Sequence, residues 1–246
     1  MSTAAAESAS RVKLIERWEV AESTLAFRFE RPSGFDFQAG QSVDMTLVNP
    51  PETDAEGNVR SFSIVSPPDE PTLIFATRMR DTAFKRVLKT APLGLAVKID
   101  GPFGNLTLHN NASRPAVLLA GGIGITPFHS MALRAAREKL PHRILLFYSN
   151  HRPEDAPFLD ELAALERQNP NYSLTATMTD MEKSRRPWKG ETGPIDQEML
   201  RRRLQGITNA IYYIAGPPGM VNGIHTVVNN MGVDDDDIRT EEFSGY

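Results

Sequence analysis

A glycine-rich turn near the middle of the chain has the residue types of a phosphate-binding loop. The segment Ala120–Pro127 follows a short apolar run and precedes a helical pattern. Glycines let the backbone approach a ligand closely, and free N–H groups at a helix start attract phosphate. A purely structural turn is the alternative, because proline stands where the usual motif has its third glycine. The predicted contact residues are Gly122, Gly124, Thr126 and Pro127, with Thr126 as helix cap and Pro127 as first helical residue.

A second glycine–proline turn, Ala215–Met220, also lies between an apolar run and a helical pattern. In a parallel sheet both turns would lie at the carboxyl edge, where ligands bind. The two turns together therefore favour a nucleotide site more than either does alone. They add Gly216, Pro217 and Met220 to the predicted binding residues.

The segment Arg60–Ser63 combines a cation, an aromatic ring and hydroxyl groups. Alternate residues of a strand share a face, so Arg60 and Phe62 would point to the same side. Arg60 would suit a pyrophosphate and Phe62 a flat ring, with Ser63 beside them. Taken alone, the segment is explained more simply as an ordinary surface strand.

These segments belong to two halves with different patterns. From Val12 to about Leu108, short β-rich runs alternate with turn residues, and one helical pattern, Thr82–Thr90, interrupts them. This predicts an antiparallel six-stranded β-barrel or a sandwich. From Ala116 onwards, apolar runs alternate with helical patterns, which predicts a parallel sheet with helices on both faces. The predicted helices of this half are Thr126–Lys139, Glu154–Gln168, Asp196–Leu204 and Pro217–Met231.

The length of 246 residues agrees with two domains. We place their boundary in the polar segment His109–Arg114, which gives domains 11–110 and 111–246 after a disordered tail at 1–10. The tail lacks the basic start and apolar region of a signal peptide, and the longest apolar stretch, Pro115–Phe128, is too short for a bilayer. We therefore expect a cytoplasmic protein without a membrane span.

The composition excludes several kinds of chemistry. The 27 basic and 31 acidic residues give a net charge of −4, which provides no basic field for nucleic acid. The absence of cysteine excludes disulfides, thiolate nucleophiles, thiolate-held iron–sulfur clusters and cysteine zinc sites. The five histidines include no pair at metal-ligand helical spacing, so no metal site is predicted. Redox chemistry would need an organic cofactor or a metal without sulfur ligands.

Together the motifs resemble those of the ferredoxin–NADP reductase superfamily of two-domain flavoprotein reductases, in the same order, over Val12–Tyr246. The matching segments are Arg60–Ser63 for Arg-x-Tyr-Ser, Gly101–Gly104 for Gly-Pro-x-Gly, Gly122–Pro127 for the nucleotide loop, Ala215–Met220 for Cys-Gly-Pro-x-x-Met, and Glu241–Phe243 for the C-terminal acid and aromatic. The resemblance implies a six-stranded barrel that binds FAD and a Rossmann-like domain that binds NADH or NADPH.

Three positions depart from the family pattern. Phe62 replaces a tyrosine, so stacking is kept and a hydroxyl contact is lost. Ala215 replaces a cysteine near the nicotinamide, which implies altered positioning rather than inactivity. The family's second pyrophosphate motif falls on Thr82–Lys85, where Thr82 and the helix start would bind phosphate and Lys85 would add charge. A plain amphipathic helix explains that segment equally well.

The resemblance also implies roles close to the reacting rings. Ser63 would lie near flavin N5 within the flavin-binding segment that includes Ile64, and Phe243 would cover the isoalloxazine ring. Glu241 would supply charge or a proton route, with a solvated carboxylate as the alternative. Tyr246 would either fold over the site or form an unpacked terminus.

The choice between NADH and NADPH stays open at this stage. Ser149 and Arg152 follow the second apolar strand, and an arginine there would suit a 2′-phosphate. Asp180 follows the third strand and would repel a phosphate, while Arg185 and Arg186 lie nearby.

The predicted function is that of an FAD-dependent NAD(P)H oxidoreductase, monomeric, which passes electrons to a separate acceptor such as ferredoxin, flavodoxin or an oxygenase component. Because no iron–sulfur module is encoded here, we expect that acceptor to be another molecule. The alternative is a non-catalytic flavin- or nucleotide-binding interaction subunit, and an absorbance spectrum with anaerobic addition of NADH and NADPH would separate the two.

Overall fold

The computed structural model describes residues 9–243. Most of the predicted tail, residues 1–8, and Tyr246 therefore lie outside the described residues. Within that range, no helix is both long enough and apolar enough to cross a bilayer.

The first half of the chain folds into an antiparallel sheet of six strands with the order β4-β3-β6-β1-β2-β5. Its elements are β1 (Ser10–Ala21), β2 (Thr24–Glu30), β3 (Ser42–Leu47), β4 (Val59–Ser63), β5 (Thr72–Arg78), α1 (Ala83–Thr90) and β6 (Ala96–Phe103). The two end strands approach each other, since the Val65 N–H just after β4 donates to the Ile74 carbonyl of β5 at 2.8 Å. This closes the sheet around one core and confirms the predicted antiparallel fold of this half.

The barrel core follows from the period-two pattern of its strands. On β3, Val43, Met45 and Leu47 are buried, while the residues between them are partly exposed. Phe29 and Phe75 pack across the interior with ring centroids 5.9 Å apart. Helix α1 covers this core with Phe84, Val87 and Leu88.

The second half forms a parallel sheet of six strands with the order β10-β9-β8-β7-β11-β12. Its strands are β7 (Ala116–Gly121), β8 (Ile144–Asn150), β9 (Tyr172–Met178), β10 (Glu191–Thr192), β11 (Ile211–Gly216) and β12 (Ile238–Glu242), and its helices are α2 (Ile125–Arg137), α3 (Leu159–Leu165), α4 (Gln197–Arg203) and α5 (Pro218–Asn230). Every residue of β7 and β11 is buried, as expected for central strands covered on both faces. The predicted α/β architecture is confirmed.

The strand order reverses direction between β7 and β11. The chain runs outward from β7 through β8 and β9, and then returns to β11 on the other side of β7. In open α/β sheets, ligands bind at such a switch point, beyond the carboxyl ends of the strands. The two glycine turns follow β7 and β11, so the topology brings both to this point.

Two local predictions are wrong. The helix predicted over Glu154–Gln168 is only α3, because Pro153 starts a short 3-10 turn and Pro157 disfavours helical geometry in the residue before it. The predicted start of α2 is also wrong, because a 3-10 turn over Gly122–Gly124 runs directly into the helix: Thr126 is not its cap, and Pro127 is its third residue rather than its first. The Thr126 hydroxyl instead donates to the Ile123 carbonyl at 3.0 Å.

Candidate functional site

A cavity of about 500 Å³ lies where β4, α1 and the start of α2 meet. Its wall combines side chains from both halves of the chain, including Ile123 from the loop before α2. Seven predicted site residues line it: Arg60, Phe62, Ser63, Thr82, Lys85 and Phe243, which were predicted for flavin binding or catalysis, and Thr126, which was predicted for nucleotide binding. We call it the barrel cavity.

The aromatic wall of the barrel cavity is held firmly in place. Phe62 is 8% exposed, and its ring centroid lies 6.2 Å from that of Phe75 and 5.9 Å from that of Phe84. The Arg60 guanidinium lies 5.3 Å from the centroid of the Phe84 ring. Phe62 therefore offers a flat, rigid surface against which a planar ring can stack.

At the polar end of the barrel cavity, Arg60 and the start of α1 contact carboxylates of the loop between β3 and β4. Glu56 Oε2 lies 2.7 Å from Arg60 Nη2, and Asp54 Oδ1 lies 3.8 Å from the same atom. Asp54 Oδ2 also accepts the backbone N–H of Ala83, the first residue of α1, at 2.7 Å. This hydrogen bond holds the pKa of Asp54 below its usual value. Carboxylate oxygens thus occupy positions that suit phosphate oxygens, on a cation and on a helix start.

Helix α1 begins at the cap expected from the sequence and carries a buried lysine. The Thr82 hydroxyl accepts the N–H of Lys85 at 3.4 Å. The Lys85 ammonium donates to the Arg78 carbonyl at 2.9 Å, and its side chain is buried. Burial, with Arg80 and Arg60 nearby, lowers the pKa of Lys85 to about 8. This lysine therefore titrates within the working range of most enzymes.

A hydrogen bond joins the barrel to the last strand of the parallel sheet. Ser63 Oγ donates to Glu241 Oε1 at 3.4 Å. Strand β12 positions Glu241 by pairing beside Ala215, and the Phe243 N–H then donates to the Gly216 carbonyl at 3.0 Å. Burial raises the pKa of Glu241 above its usual value. The cavity wall thus has a hydroxyl backed by a carboxyl group that can hold a proton.

A second cavity, of about 540 Å³, lies at the switch point and is called here the sheet-edge cavity. Four of the residues predicted for nucleotide binding line it: Gly122, Ser149, Pro217 and Met220. Its other walls come from the ends of β8 and β9 and from one face of α5, which supplies Gly223, Ile224 and Val227.

Two glycines are required in the loop between the cavities. A Cβ at Gly124 would stand 2.3 Å from the Ala215 carbonyl oxygen, so only glycine lets α2 start this close to β11. Gly122 has a φ of 53° with open space around it, and a left-handed backbone favours glycine. Gly216 in turn packs against the backbone of Gly121. The two predicted turns are thus in direct contact.

Seven predicted site residues line neither cavity: Ile64, Gly124, Pro127, Arg152, Asp180, Gly216 and Glu241. Ile64 is fully buried in the barrel core, and Pro127 is buried within α2. Arg152 is paired with Asp155 and Glu22, and Asp180 is paired with Lys183.

Sequence reasoning also missed several residues that the fold brings to the cavities. Thr77 and Arg80 line the barrel cavity, and Asn150 and His151 line the sheet-edge cavity. Glu56 also lines the barrel cavity, and the sequence signal for it is an acidic side chain four residues before the basic Arg60.

Comparison with known proteins agrees with this geometry. The chain matches the family model of the oxidoreductase NAD-binding domain over residues 118–226. It is 27% identical to the glycine betaine monooxygenase reductase subunit of Chromohalobacter salexigens, over 94% of this chain and 62% of that protein. It is also 27% identical to the toluate 1,2-dioxygenase electron transfer component of Pseudomonas putida, over 92% of this chain and 65% of that protein. The chain therefore spans less than two thirds of the length of these relatives.

Solved structures share the whole fold. The FAD/NAD-binding domain of nitric oxide dioxygenase from Vibrio cholerae has a TM-score of 0.82 at 19% identity, covering 95% of this chain and 98% of that one. A ferredoxin NADP+ reductase from Neisseria gonorrhoeae has a TM-score of 0.78 at 22% identity, covering 96% and 98%. The chain therefore shares the two-domain fold of these structures, and its second half matches an NAD-binding domain.

Proposed function

We propose that this protein is an FAD-dependent NAD(P)H oxidoreductase that passes electrons to a separate acceptor. One observation carries the proposal: a single loop borders both cavities. Gly121 and Gly122 line the sheet-edge cavity, while Ile123 and Thr126 line the barrel cavity. A nucleotide in one cavity and a flavin in the other would therefore be neighbours, as electron transfer between them requires.

The barrel cavity fits FAD in the chemistry of its walls. Bound flavin would accept a hydride from reduced nicotinamide and release electrons singly to the acceptor. Arg60 and the N–H groups at the start of α1 would bind the diphosphate in place of Glu56 and Asp54. Phe62 would hold the ring by stacking, and Phe243 would cover it at the nicotinamide side.

Ser63 and Glu241 would hold a proton beside the flavin ring. The Ser63 hydroxyl already donates to Glu241, and the raised pKa of Glu241 keeps part of its population protonated at higher pH than an ordinary glutamate. Proton position near the ring would thus be controlled by two residues from different halves of the chain.

The names of the relatives support the type of acceptor. They include a monooxygenase reductase subunit and a dioxygenase electron transfer component. We propose an oxygenase component as the acceptor of this chain, ahead of ferredoxin or flavodoxin.

FAD titration of the apoprotein tests the flavin site. Arg60→Ala should weaken FAD binding about 10- to 150-fold, because a hydrogen bond between charged groups contributes about 1.5–3 kcal/mol. Glu56→Gln should instead tighten binding, by up to about fivefold, because it releases Arg60 from an exposed ion pair of about 0.2–1 kcal/mol. Unchanged FAD affinity in Arg60→Ala would refute the assigned contact.

Anaerobic addition of NADH and NADPH to the FAD-loaded protein tests the activity. We expect at least one of them to bleach the visible absorbance of the bound flavin, because the cofactor itself accepts the hydride. Bound flavin that neither nucleotide bleaches would instead favour the non-catalytic interaction subunit.

A further inference from the structure

Helix α2 begins in the loop that borders both cavities, and two of its side chains attach it to the barrel. Ser130 Oγ donates to the Ser66 carbonyl at 2.8 Å, and the His129 ring nitrogen Nδ1 lies 3.0 Å from the Val65 carbonyl oxygen. Both carbonyl groups lie just after Ser63, which lines the barrel cavity. These two contacts therefore connect the parallel-sheet half of the chain directly to the end of β4.

Both ring nitrogens of His129 face oxygen atoms that accept hydrogen bonds and cannot donate them. Nε2 lies 2.9 Å from Oε2 of Glu161 on α3. The hydrogen bond from His129 holds the pKa of Glu161 below its usual value, which keeps this carboxyl group ionised at neutral pH. A neutral imidazole has one N–H group, whereas the protonated ring has two. His129 therefore donates to both the Val65 carbonyl and Glu161 only as an imidazolium, and we call this pair of contacts the His129 bridge.

The ring of Phe158 packs against the imidazole from the start of α3. The two ring centroids lie 4.4 Å apart, and the Phe158 backbone has a φ of 61°, which is unfavourable for a bulky residue. An aromatic ring attracts a cation, so this contact favours the protonated form of His129. Because His129 is only 4% exposed, water does not replace the contacts of the His129 bridge.

The other charged groups around the His129 bridge are carboxylates and a guanidinium. Arg137, two turns later on α2, pairs with Asp69 at 3.1 Å and with Glu70 at 2.8 Å, both in the loop between β4 and β5. Carboxylate and guanidinium groups stay charged between about pH 5.5 and pH 8.5, whereas histidine changes its charge in this range. The Glu161 side chain is 51% exposed, so protons reach the bridge from solvent. Loss of the His129 proton leaves one ring nitrogen without a hydrogen for the oxygen that it faces.

We infer that His129, as an imidazolium that bridges the Val65 carbonyl and Glu161, is a positioning residue that holds the two cavities in register, and that release of its proton loosens this attachment. The inference rests on the proposed function, because the two cavities must align a flavin with a nucleotide. Thr126, one helical turn before His129, lines the barrel cavity, so a shift of α2 moves the loop between the cavities. His129 itself lines neither cavity. Its proton should therefore control the rate of hydride transfer and leave FAD binding unchanged.

Amide hydrogen exchange of the FAD-saturated protein tests the attachment of α2 without turnover. Protection factors, which are corrected for the intrinsic effect of pH on exchange, are compared at about pH 5.5 and about pH 8.5, on either side of the usual histidine titration. In the wild type, the protection of α2 should fall at least about fivefold over this range, because a hydrogen bond between charged groups is lost.

Two matched variants on α3 identify the group responsible for this fall. In Glu161→Gln the amide oxygen can accept from the charged ring and the amide N–H can donate to the neutral ring, so the fall should shrink to less than about twofold. Asp160→Asn changes the adjacent exposed carboxylate and should keep the wild-type fall. An equal fall in the wild type and in Glu161→Gln, or no fall in the wild type, would overturn the inference.

Anaerobic flavin reduction at saturating nucleotide tests the consequence for hydride transfer. Between about pH 5.5 and about pH 8.5, the rate constant should fall at least about threefold more in the wild type than in Glu161→Gln, because a small displacement of the reacting groups slows the transfer. The FAD dissociation constants of the two proteins should agree within about twofold at each pH, because neither residue lines the barrel cavity. Identical pH profiles of the rate constant would refute the positioning role. Flavin that neither nucleotide reduces would refute the proposed function and the positioning role together, while hydrogen exchange would still decide whether the His129 bridge holds α2.

Discussion

Replacement of Gly124 by alanine should destabilise the protein by pushing the two glycine turns apart. The new Cβ would stand 2.3 Å from the Ala215 carbonyl oxygen and 2.5 Å from its carbon, and both are backbone atoms of the central strand β11. Ordinary carbon contacts begin at about 3.5 Å, so α2 and β11 would have to separate by about 1 Å. Overpacking of this kind costs about 1–3 kcal/mol.

This loss of stability can be measured as a decrease in the melting temperature. One kcal/mol corresponds to about 2–4 °C in a protein of this size, so Gly124→Ala should melt about 2–12 °C below the wild type. Gly219→Ala is the matched control, because a Cβ there meets no atom within 4 Å. Since Gly219 lies in the first turn of α5, alanine there should leave the melting temperature at or slightly above that of the wild type. A Gly124→Ala protein that melts at or above the wild-type temperature would refute the close approach inferred here.

Two further predictions concern the titrating groups of the barrel cavity. Because the pKa of Lys85 is lowered to about 8, its charge is lost as the pH rises through that value, and the FAD dissociation constant should increase between about pH 7 and pH 9.5. Fluorescence titration should show that increase in the wild type and a flat profile in Lys85→Met, and equal slopes would contradict the role of this lysine. Burial raises the folded-state pKa of Glu241, so its carboxylate destabilises the fold progressively as the pH rises above about 4.5. Glu241→Gln should therefore raise the melting temperature more at about pH 8 than at pH 4.5, while Glu242→Gln, at an exposed position, should show no such difference.

The sequence was sufficient where local residue types impose the structure. Strands β7 and β11 are continuous apolar runs, and a run of that kind fits only a strand covered on both faces. The turns after them carry glycines and prolines whose backbone requirements are local. Both halves of the fold could therefore be predicted, whereas β10 and β12 were missed because they are short or polar edge strands.

Helix boundaries depended on geometry that the pattern alone did not contain. The run of helical spacing from Glu154 to Gln168 contains Pro157 and a left-handed Phe158 with a φ of 61°, so the helix begins only at Leu159. The start of α2 was misplaced for a similar reason, since the preceding glycine turn is itself helical in its last residues.

The sequence by itself determined which chemical groups are available for the two cavities. The tertiary structure determined which of the charged groups form ion pairs with one another. Arg152 and Asp180 were both visible as candidates for the coenzyme ribose, and the sequence could not choose between them. Arg152 is paired with Glu22, which is 130 residues distant in the chain, and Arg60 is held by carboxylates of a loop that carried no motif. An ion pair depends on separations of a few ångströms between segments distant in sequence, and only the packed fold sets those separations.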